Sequence, residues 1–314
     1  MNVIEADDVD DAYREILALI LRDGGVTPSR LGPTLDVGPT TVSLEPGKLK
    51  IVKNKGRAIS PGLAIVEACW ILSGGRTVSP LASIAPRFRA FSDDGETLSG
   101  AYGDRLRSRF GFDQIRAMTE HLRMDPHSRR AFSLIAEPSD IQSASLDVPC
   151  NIALIFRRVS KRLDMTVVNR SNDAIFGLPY DIFSFSLLHF HVAEQVGVSM
   201  GKHLHIANSM HLYLANKDLA ERSLAGGVST AGPKKPEADS FLKLLVNEAD
   251  AIGAMDIDRV EDVRLKALLQ ASTPSSIPRE APASLHEDDW LTALWKSWAC
   301  RGPTSAVTIA HKEH

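Results

Sequence analysis

Apolar side chains recur at helical spacing between Asp10 and Leu21, with Ala12, Ile16 and Ile20 on one face and aspartates at the front, where they suit the helix dipole. An opening helix is predicted there. The glycine- and proline-rich run of residues 24–34 ends it and leaves Arg30 in a flexible loop. Two β-prone runs, residues 40–44 and 48–52, then flank a Glu45-Pro46-Gly47-Lys48 turn and read as short strands. Residues 61–72 are a strongly apolar helix with one carboxylate, Glu67, and a loop region follows that carries Tyr102 flanked by Gly100 and Gly103. An amphipathic helix over 113–123 ends at Asp125-Pro126, and residues 131–135, 151–159 and 162–169 read as strands of one sheet. Residues 178–197 make the longest apolar helix pattern, and 203–206 a short strand. Beyond Tyr213 the character changes. A linker by composition, residues 226–238, precedes helical patterns over 240–250, 263–270 and 289–298, with a second loop at 273–283. These last helices either cover the sheet or dock on a second subunit.

Length and charge narrow the classes. A chain of 314 residues with 44% hydrophobic content can bury a full core, as one large domain or two ordinary ones. The formal net charge of -3 gives no global basic field, so wrapping a nucleic-acid backbone is not expected and any bound phosphate should meet a local cluster of cations. Cys69, Cys150 and Cys300 are too scattered for a disulfide framework or a zinc site and fit a reducing compartment. The acidic N-terminus lacks the positive start of a secretory signal, and no apolar run reaches the roughly 20 residues that span a bilayer. A cytoplasmic protein with no membrane contact is expected. His189 and His191 lie two apart, without the spacing of a helical metal pair, and His203 and His205 have no thiolate or carboxylate partners at zinc spacing, so no metal is expected.

Candidate chemistry concentrates between Val148 and Tyr213. Cys150 follows Pro149 and precedes a predicted strand; it is either a buried inert thiol or a nucleophile, and Arg170 on the next strand can supply the positive charge a thiolate needs. Glu67 sits either at the solvent edge of its helix or in a pocket kept for chemistry. The adjacent Arg129 and Arg130 are either solvated surface or a fixed double charge for an anion.

The ordered set of Glu67 in Val66-Glu67-Ala68-Cys69-Trp70, Tyr102, residues 125–130, Val148-Pro149-Cys150, Arg170-Ser171-Asn172-Asp173, Gly177-Leu178-Pro179-Tyr180-Asp181 and His211-Leu212-Tyr213 resembles the thymidylate synthase family. The resemblance is specific over residues 26–215 and weak over the last third. It implies a single α/β (α+β) domain over 1–314: an N-terminal helix within 1–25, the family core over 26–215 and a divergent helical region over 216–314. The core would be a twisted mixed β-sheet flanked by helices, with the sheet at the interface of a homodimer that shares its active sites. Cys150 would add to carbon 6 of a pyrimidine nucleoside monophosphate and so activate carbon 5 toward the one-carbon unit of 5,10-methylenetetrahydrofolate. Arg170 and Ser171 would hold the 5′-phosphate, joined by Arg30 and by Arg129 and Arg130 of the partner subunit. His211 and Tyr213 would bond the sugar, Glu67 would order water and relay protons, Tyr102 would assist proton removal at carbon 5, and Asp173 would contact the pterin of the folate.

Two positions depart from the uracil-specific pattern of that family. Asp181 stands where those members have asparagine, and a carboxylate accepts from the exocyclic amine of cytosine. By sharing a proton with the ring nitrogen it would also stabilise the charge that develops as Cys150 attacks. Asn151 replaces the usual histidine after the nucleophile, beside the base's position 4. Aspartate at this turn is the pattern of the cytidylate hydroxymethylases, in which water rather than hydride completes the reaction. The C-terminal residues 304–314 do not resemble the family's closing segment, which is consistent with water entry. The expected activity is therefore 5-hydroxymethylation of a cytidine monophosphate, with CMP, as in nucleoside-antibiotic biosynthesis, placed ahead of dCMP. The rivals are thymidylate synthase-type methylation of dUMP or dCMP, and a non-catalytic nucleotide- or RNA-binding protein on the same scaffold.

Overall fold

The computed structural model describes residues 1–227, 232–273 and 290–299. The chain opens with β1 (Asn2–Ala6) and α1 (Val9–Asp23), then three short strands, β2 (Gly25–Thr27), β3 (Thr34–Asp36) and β4 (Thr40–Leu44). Four helices follow: α2 (Pro61–Leu72), α3 (Ser79–Ile84), α4 (Tyr102–Arg107) and α5 (Gln114–Met124). The central strands are β5 (Phe132–Leu134), β6 (Asn151–Val159), β7 (Arg162–Asn169) and β8 (Asn172–Asp173). After α6 (Leu178–Val196) come β9 (Ser199–Ala207) and β10 (Met210–Tyr213), then helices α7 (Lys217–Ala225), α8 (Lys235–Asn247), α9 (Ala249–Gly253), α10 (Val263–Ala271) and α11 (Trp290–Ala299).

A six-stranded mixed sheet in the order β1-β4-β9-β7-β6-β5 forms the frame, and a small four-stranded sheet, β2-β3-β10-β8, stands beside it. Alternation decides which face of the large sheet is inside. Leu163, Met165 and Val167 of β7, with Leu154 and Phe156 of β6, point to the core and are buried; α6 packs over the sheet, and α2 packs on α6. The opposite face leaves apolar side chains in solvent: Phe132 is 51% exposed, Ile155 44% and Val159 40%. Lone exposed apolar residues mean little, whereas a row of them along adjacent strands marks a face suited to a partner.

The predicted helices over 10–21, 61–72, 113–123 and 178–197 correspond to α1, α2, α5 and α6. The apolar period is strong in α1 and α5, α2 and α6 are apolar and buried on nearly every side, and caps fix the starts of the first three: the side chain of Asp8 accepts from Asp10 N, Ser60 from Leu63 N and Asp113 from Arg116 N. The second strand expected at 48–52 does not form. Leu49, Ile51 and Val52 are buried, but β4 already pairs with β1 on one side and β9 on the other, so no edge is free for them. The first 25 residues hold a parallel edge strand, β1, ahead of the helix. Tyr102, read as loop, opens the short helix α4.

The C-terminal helices resolve the alternative left by their sequence. Helix α9 crosses α2 so closely that a Cβ on Gly253 would lie 2.9 Å from the Trp70 Cα, and α8 packs on both α2 and α6. They cover the core of their own chain. Parts of the linker and of the 273–283 loop, and all of 304–314, lie outside the described residues. Among the described residues no helix is long and apolar enough to cross a membrane.

Candidate active site

Strand β6 begins one residue after Cys150, and the return strand β7 ends one residue before Arg170, so the hairpin sets the two side by side. The Arg170 backbone N–H donates to the Cys150 carbonyl at 2.9 Å. The guanidinium folds back over the approach to β6, donating to the Pro149 and Val148 carbonyls at 3.0 Å each and to Ser171 Oγ at 3.3 Å. Ser171 Oγ in turn lies 3.7 Å from Cys150 Sγ. Burial pushes the Cys150 thiol up, while Arg170 and the Ser171 bond pull it back. The resting residue is thus a protonated thiol with cationic and hydroxyl support in place for the thiolate.

Cys150 opens into a cavity of about 280 Å³ lined by α2, α4, the start of α6 and β8. Glu67 enters from α2, Tyr102 from α4, Asp181 from the first turn of α6, and Ser171 and Asp173 from the chain between β7 and α6. Each is placed by a local device. Tyr102 stacks on Phe185 with ring centroids 5.9 Å apart and an interplanar angle of 19°. Asp173 accepts from Ile175 N at 2.9 Å, and its carbonyl accepts from Gly177 N at 3.0 Å, which turns the chain into α6. Asp181 accepts from Asn172 Nδ2 at 2.6 Å.

The electrostatics are unusual for so small a space. Burial raises the Glu67 carboxyl to about 8, helped by Asp181 and opposed by Arg87. Burial likewise raises Asp181 to about 7, opposed by the Asn172 bond and helped by Asp173. Asp173 and Asp147 are also pushed up by burial, and the Tyr102 phenol well above its ordinary value. Two carboxyls that change protonation near neutrality beside a cysteine are suited to moving protons to and from a bound ligand.

Sequence reasoning named Cys150, Glu67, Tyr102, Ser171, Asp173 and Asp181, and the fold brings all six to this cavity. Arg170 lies beside Cys150, just outside the cavity. His211 pairs with Asp173 across β10 and β8, and Tyr213 sits edge-on to His211 at 5.6 Å, both on the small sheet behind the cavity. Arg30 is exposed and donates to the Leu146 carbonyl at 3.0 Å, in the segment that leads to Cys150. Arg129 and Arg130 are exposed just before β5 and do not line this cavity. Asn151 is fully buried and also stays out of it. Its Nδ2 donates to Asn169 Oδ1 at 2.9 Å, and Asn169 Nδ2 meets His205 Nε2 at 2.9 Å, so Asn151 leads into the sheet core.

Four lining residues carried no sequence signal strong enough to single them out. Asp147 accepts from Gly100 N at 2.7 Å, and a Cβ on Gly100 would lie 2.9 Å from the Asp147 carbonyl, so only glycine admits that approach. Asn172 lies inside the Arg-Ser-Asn-Asp run but had no assigned role. Arg87 and Phe176 form a wall in which the guanidinium lies 5.3 Å from the Phe176 ring centroid. With Trp70, Phe88 and Phe91 they offer flat aromatic surface, the kind of lining that fits the fused ring of a folate. A larger cleft of about 730 Å³ lies between α5 and β5 and includes Phe110, Phe112, Met118 and Arg130; its lining contains neither a cysteine nor the raised carboxyls.

The thymidylate synthase family model matches residues 11–266. The chain is 33% identical over 324 aligned residues to the deoxyuridylate hydroxymethyltransferase of Pseudomonas phage M6, covering 94% of this chain and 92% of that protein. It is 30% identical over 249 residues to the deoxyuridylate hydroxymethyltransferase of Bacillus phage SP01, covering 74% of this chain and 65% of that protein. A third enzyme of that name, from Delftia phage PhiW-14, is 29% identical over 167 residues, 49% of this chain and 46% of its own. A half-buried cysteine backed by arginine and serine, a cavity of raised carboxyls and a family match over most of the chain lead to one conclusion: the chain belongs to the thymidylate synthase family.

Proposed function

We propose that the enzyme hydroxymethylates carbon 5 of a cytosine nucleoside 5′-monophosphate, through a covalent bond from Cys150 to carbon 6. The observation that carries the base assignment is Asp181 at the cavity wall, held by Asn172 and raised to about 7. The ionised carboxylate accepts from the exocyclic amine of the bound cytosine, and a proton taken up from solvent and shared with the ring nitrogen stabilises the charge that develops there as the thiolate attacks. Arg170 and Ser171 support the thiolate and, with Arg30, face the phosphate. Glu67, raised to about 8, takes up and releases protons at the base edge and holds water there. Tyr102 assists removal of the carbon 5 proton, and His211 and Tyr213 bond the sugar. 5,10-Methylenetetrahydrofolate supplies the one-carbon unit, and Asp173 with the Arg87, Phe88 and Phe176 wall would hold it.

A second reading, deoxyuridylate as substrate, is favoured by the activity for which the M6, SP01 and PhiW-14 proteins are named. Chemistry permits it: a neutral Asp181 donates to a carbonyl and accepts from a ring N–H just as asparagine does. The relatives' names also weigh for deoxyribose, and so for dCMP over the CMP expected from sequence. Turnover of CMP, dCMP, UMP and dUMP measured side by side, with the folate coproduct identified, decides among them. Cytosine nucleotides converted to their 5-hydroxymethyl products with release of tetrahydrofolate are expected. A methylated product with dihydrofolate, or turnover of uracil nucleotides alone, contradicts the proposal.

The exposed apolar row along β5 and β6 supports a homodimer built on this face of the sheet. Arg129 and Arg130, exposed at its edge, would then reach the phosphate in the partner's site.

A further inference from the structure

We infer that Asn172 is a specificity-determining residue, which holds Asp181 by one oxygen and presents its own amide oxygen to the exocyclic group at position 4 of the base. The inference rests on the hydroxymethylase reading above and concerns the same cavity.

Asn172 is 2% exposed, and its backbone is fixed on both sides. Its N–H donates to the Ser209 carbonyl at 2.8 Å, and β8 pairs with β10 in the register Asn172 to Met210. The side chain lines the cavity with Cys150 and Asp181. Its Nδ2 is committed to Asp181 Oδ2 at 2.6 Å, whereas its Oδ1 is buried and has no hydrogen-bond partner among the described residues. A buried acceptor left unpaired is costly, and the cavity is the place from which a ligand can supply the missing donor.

The two ends of an amide are not interchangeable once one is engaged. While Asp181 is ionised, Asn172 must turn Nδ2 toward it and Oδ1 toward the ligand. The pair then offers acceptors, which match the two N–H groups of a cytosine amine and oppose a uracil carbonyl. When Asp181 takes up a proton, its O–H donates to Asn172 Oδ1, the amide turns, and Nδ2 faces the ligand as a donor suited to a carbonyl. Preference for cytosine over uracil should therefore rise with pH across the ionisation of Asp181. That ionisation is also felt by Asp173, Glu67, Tyr102 and Cys150, with Arg87 acting on Glu67 behind them. Removing the Asn172 bond takes away an interaction that lowers Asp181 and moves its titration to higher pH.

The test is kcat/KM for dCMP and dUMP between pH 6 and 9, on the wild type, Asn172→Ala and Asn172→Ser. The expected result is a wild-type dCMP-to-dUMP ratio that increases with pH. In Asn172→Ala the ratio at the upper end should fall by about tenfold or more, with the pH limb displaced upward. Asn172→Ser, whose hydroxyl rotates to donate or accept, should recover part of the ratio. A wild-type ratio independent of pH overturns the inference without any variant. An equal loss on both bases with an unmoved pH limb also overturns it, since that reports a structural role alone. A wild type that favours dUMP throughout contradicts the cytosine assignment; the inference then stands or falls on whether the ratio still moves with pH and with Asn172.

Discussion

At the scale of single residues, the site consists of groups whose ordinary protonation has been moved by burial and then partly restored by a named neighbour. Cys150 is raised by burial and drawn back by Arg170 and Ser171. Its alkylation by iodoacetamide should therefore keep accelerating above the ordinary thiol range, and bound nucleotide should protect it. Cys150→Ser should lose at least about 10³-fold in turnover while still binding nucleotide, as measured by isothermal titration. Asp181 is likewise raised by burial and partly drawn back, by Asn172. Its folded value of about 7 lies above the ordinary 3.8, so its stability penalty is absent below 3.8, grows through the interval and is complete above about 7. Asp181→Asn should thus stabilise the fold at pH 8, by roughly 2 kcal/mol, and leave it unchanged at pH 3.5, as read from urea melts. The same variant should shift activity from cytosine toward uracil. Greater stability with altered chemistry is the exchange expected where a strained charge serves function.

At the scale of elements, α4 is the part most dependent on a single tie. It spans only Tyr102–Arg107, too short to hold itself, yet it delivers Tyr102 to the cavity. Arg105, 1% exposed, fastens it by donating to the Ser99 and Ile135 carbonyls at 2.9 Å and to both Asp140 oxygens at 2.7 and 2.8 Å. Arg105→Ala leaves Asp140 with only the Glu137 N–H, strips the arginine from two carbonyls and should cost about 3–5 kcal/mol in denaturant titration. Arg109→Ala, which breaks a more exposed pair with Glu137, should cost under about 1 kcal/mol. Sequence could not reveal Arg105, because Ile135 and Asp140 lie 30 and 35 residues on and no local period records them. The long elements were legible for the opposite reason. Helix α6 and strands β6 and β7 carry their apolar period over many residues, whereas β2, β3, β8 and β10 are four residues or fewer and exist only through each other. The run 48–52 shows the remaining limit: strand propensity is decided by whether a neighbouring edge is free.

At the scale of the whole molecule, the sheet core holds a second, neutral polar cluster. His189 and His205 are each lowered to about 3 by burial, His203 well below its ordinary value, and His189 meets the Leu163 carbonyl at 2.5 Å. For a folded value below the unfolded 6.5, stability is intact above 6.5 and is lost progressively as pH falls from there to about 3. The raised carboxyls of Glu67, Asp10 and Asp181 act with the opposite sign over much of that range, so the stability of the wild type alone mixes the two. The difference in unfolding free energy between wild type and His189→Gln isolates the histidine and should change by about 1.4 kcal/mol per pH unit between 6 and 4. At the same scale, mixing Cys150→Ser with Arg130→Ala subunits should restore activity that neither has alone, if the partner's arginines complete each site. The site itself was largely legible, because its chemistry travels as short ordered motifs around Cys150, Arg170 and Asp181. Asn172, Asp147 and Arg87 were not, because their meaning lies in which wall of the cavity they reach. The most direct measurement is tritium release from 5-tritiated dCMP and dUMP by the purified enzyme with methylenetetrahydrofolate. Release from dCMP that disappears in Cys150→Ser, with 5-hydroxymethyl-dCMP as product, is the expected result; release from dUMP with none from dCMP would contradict it.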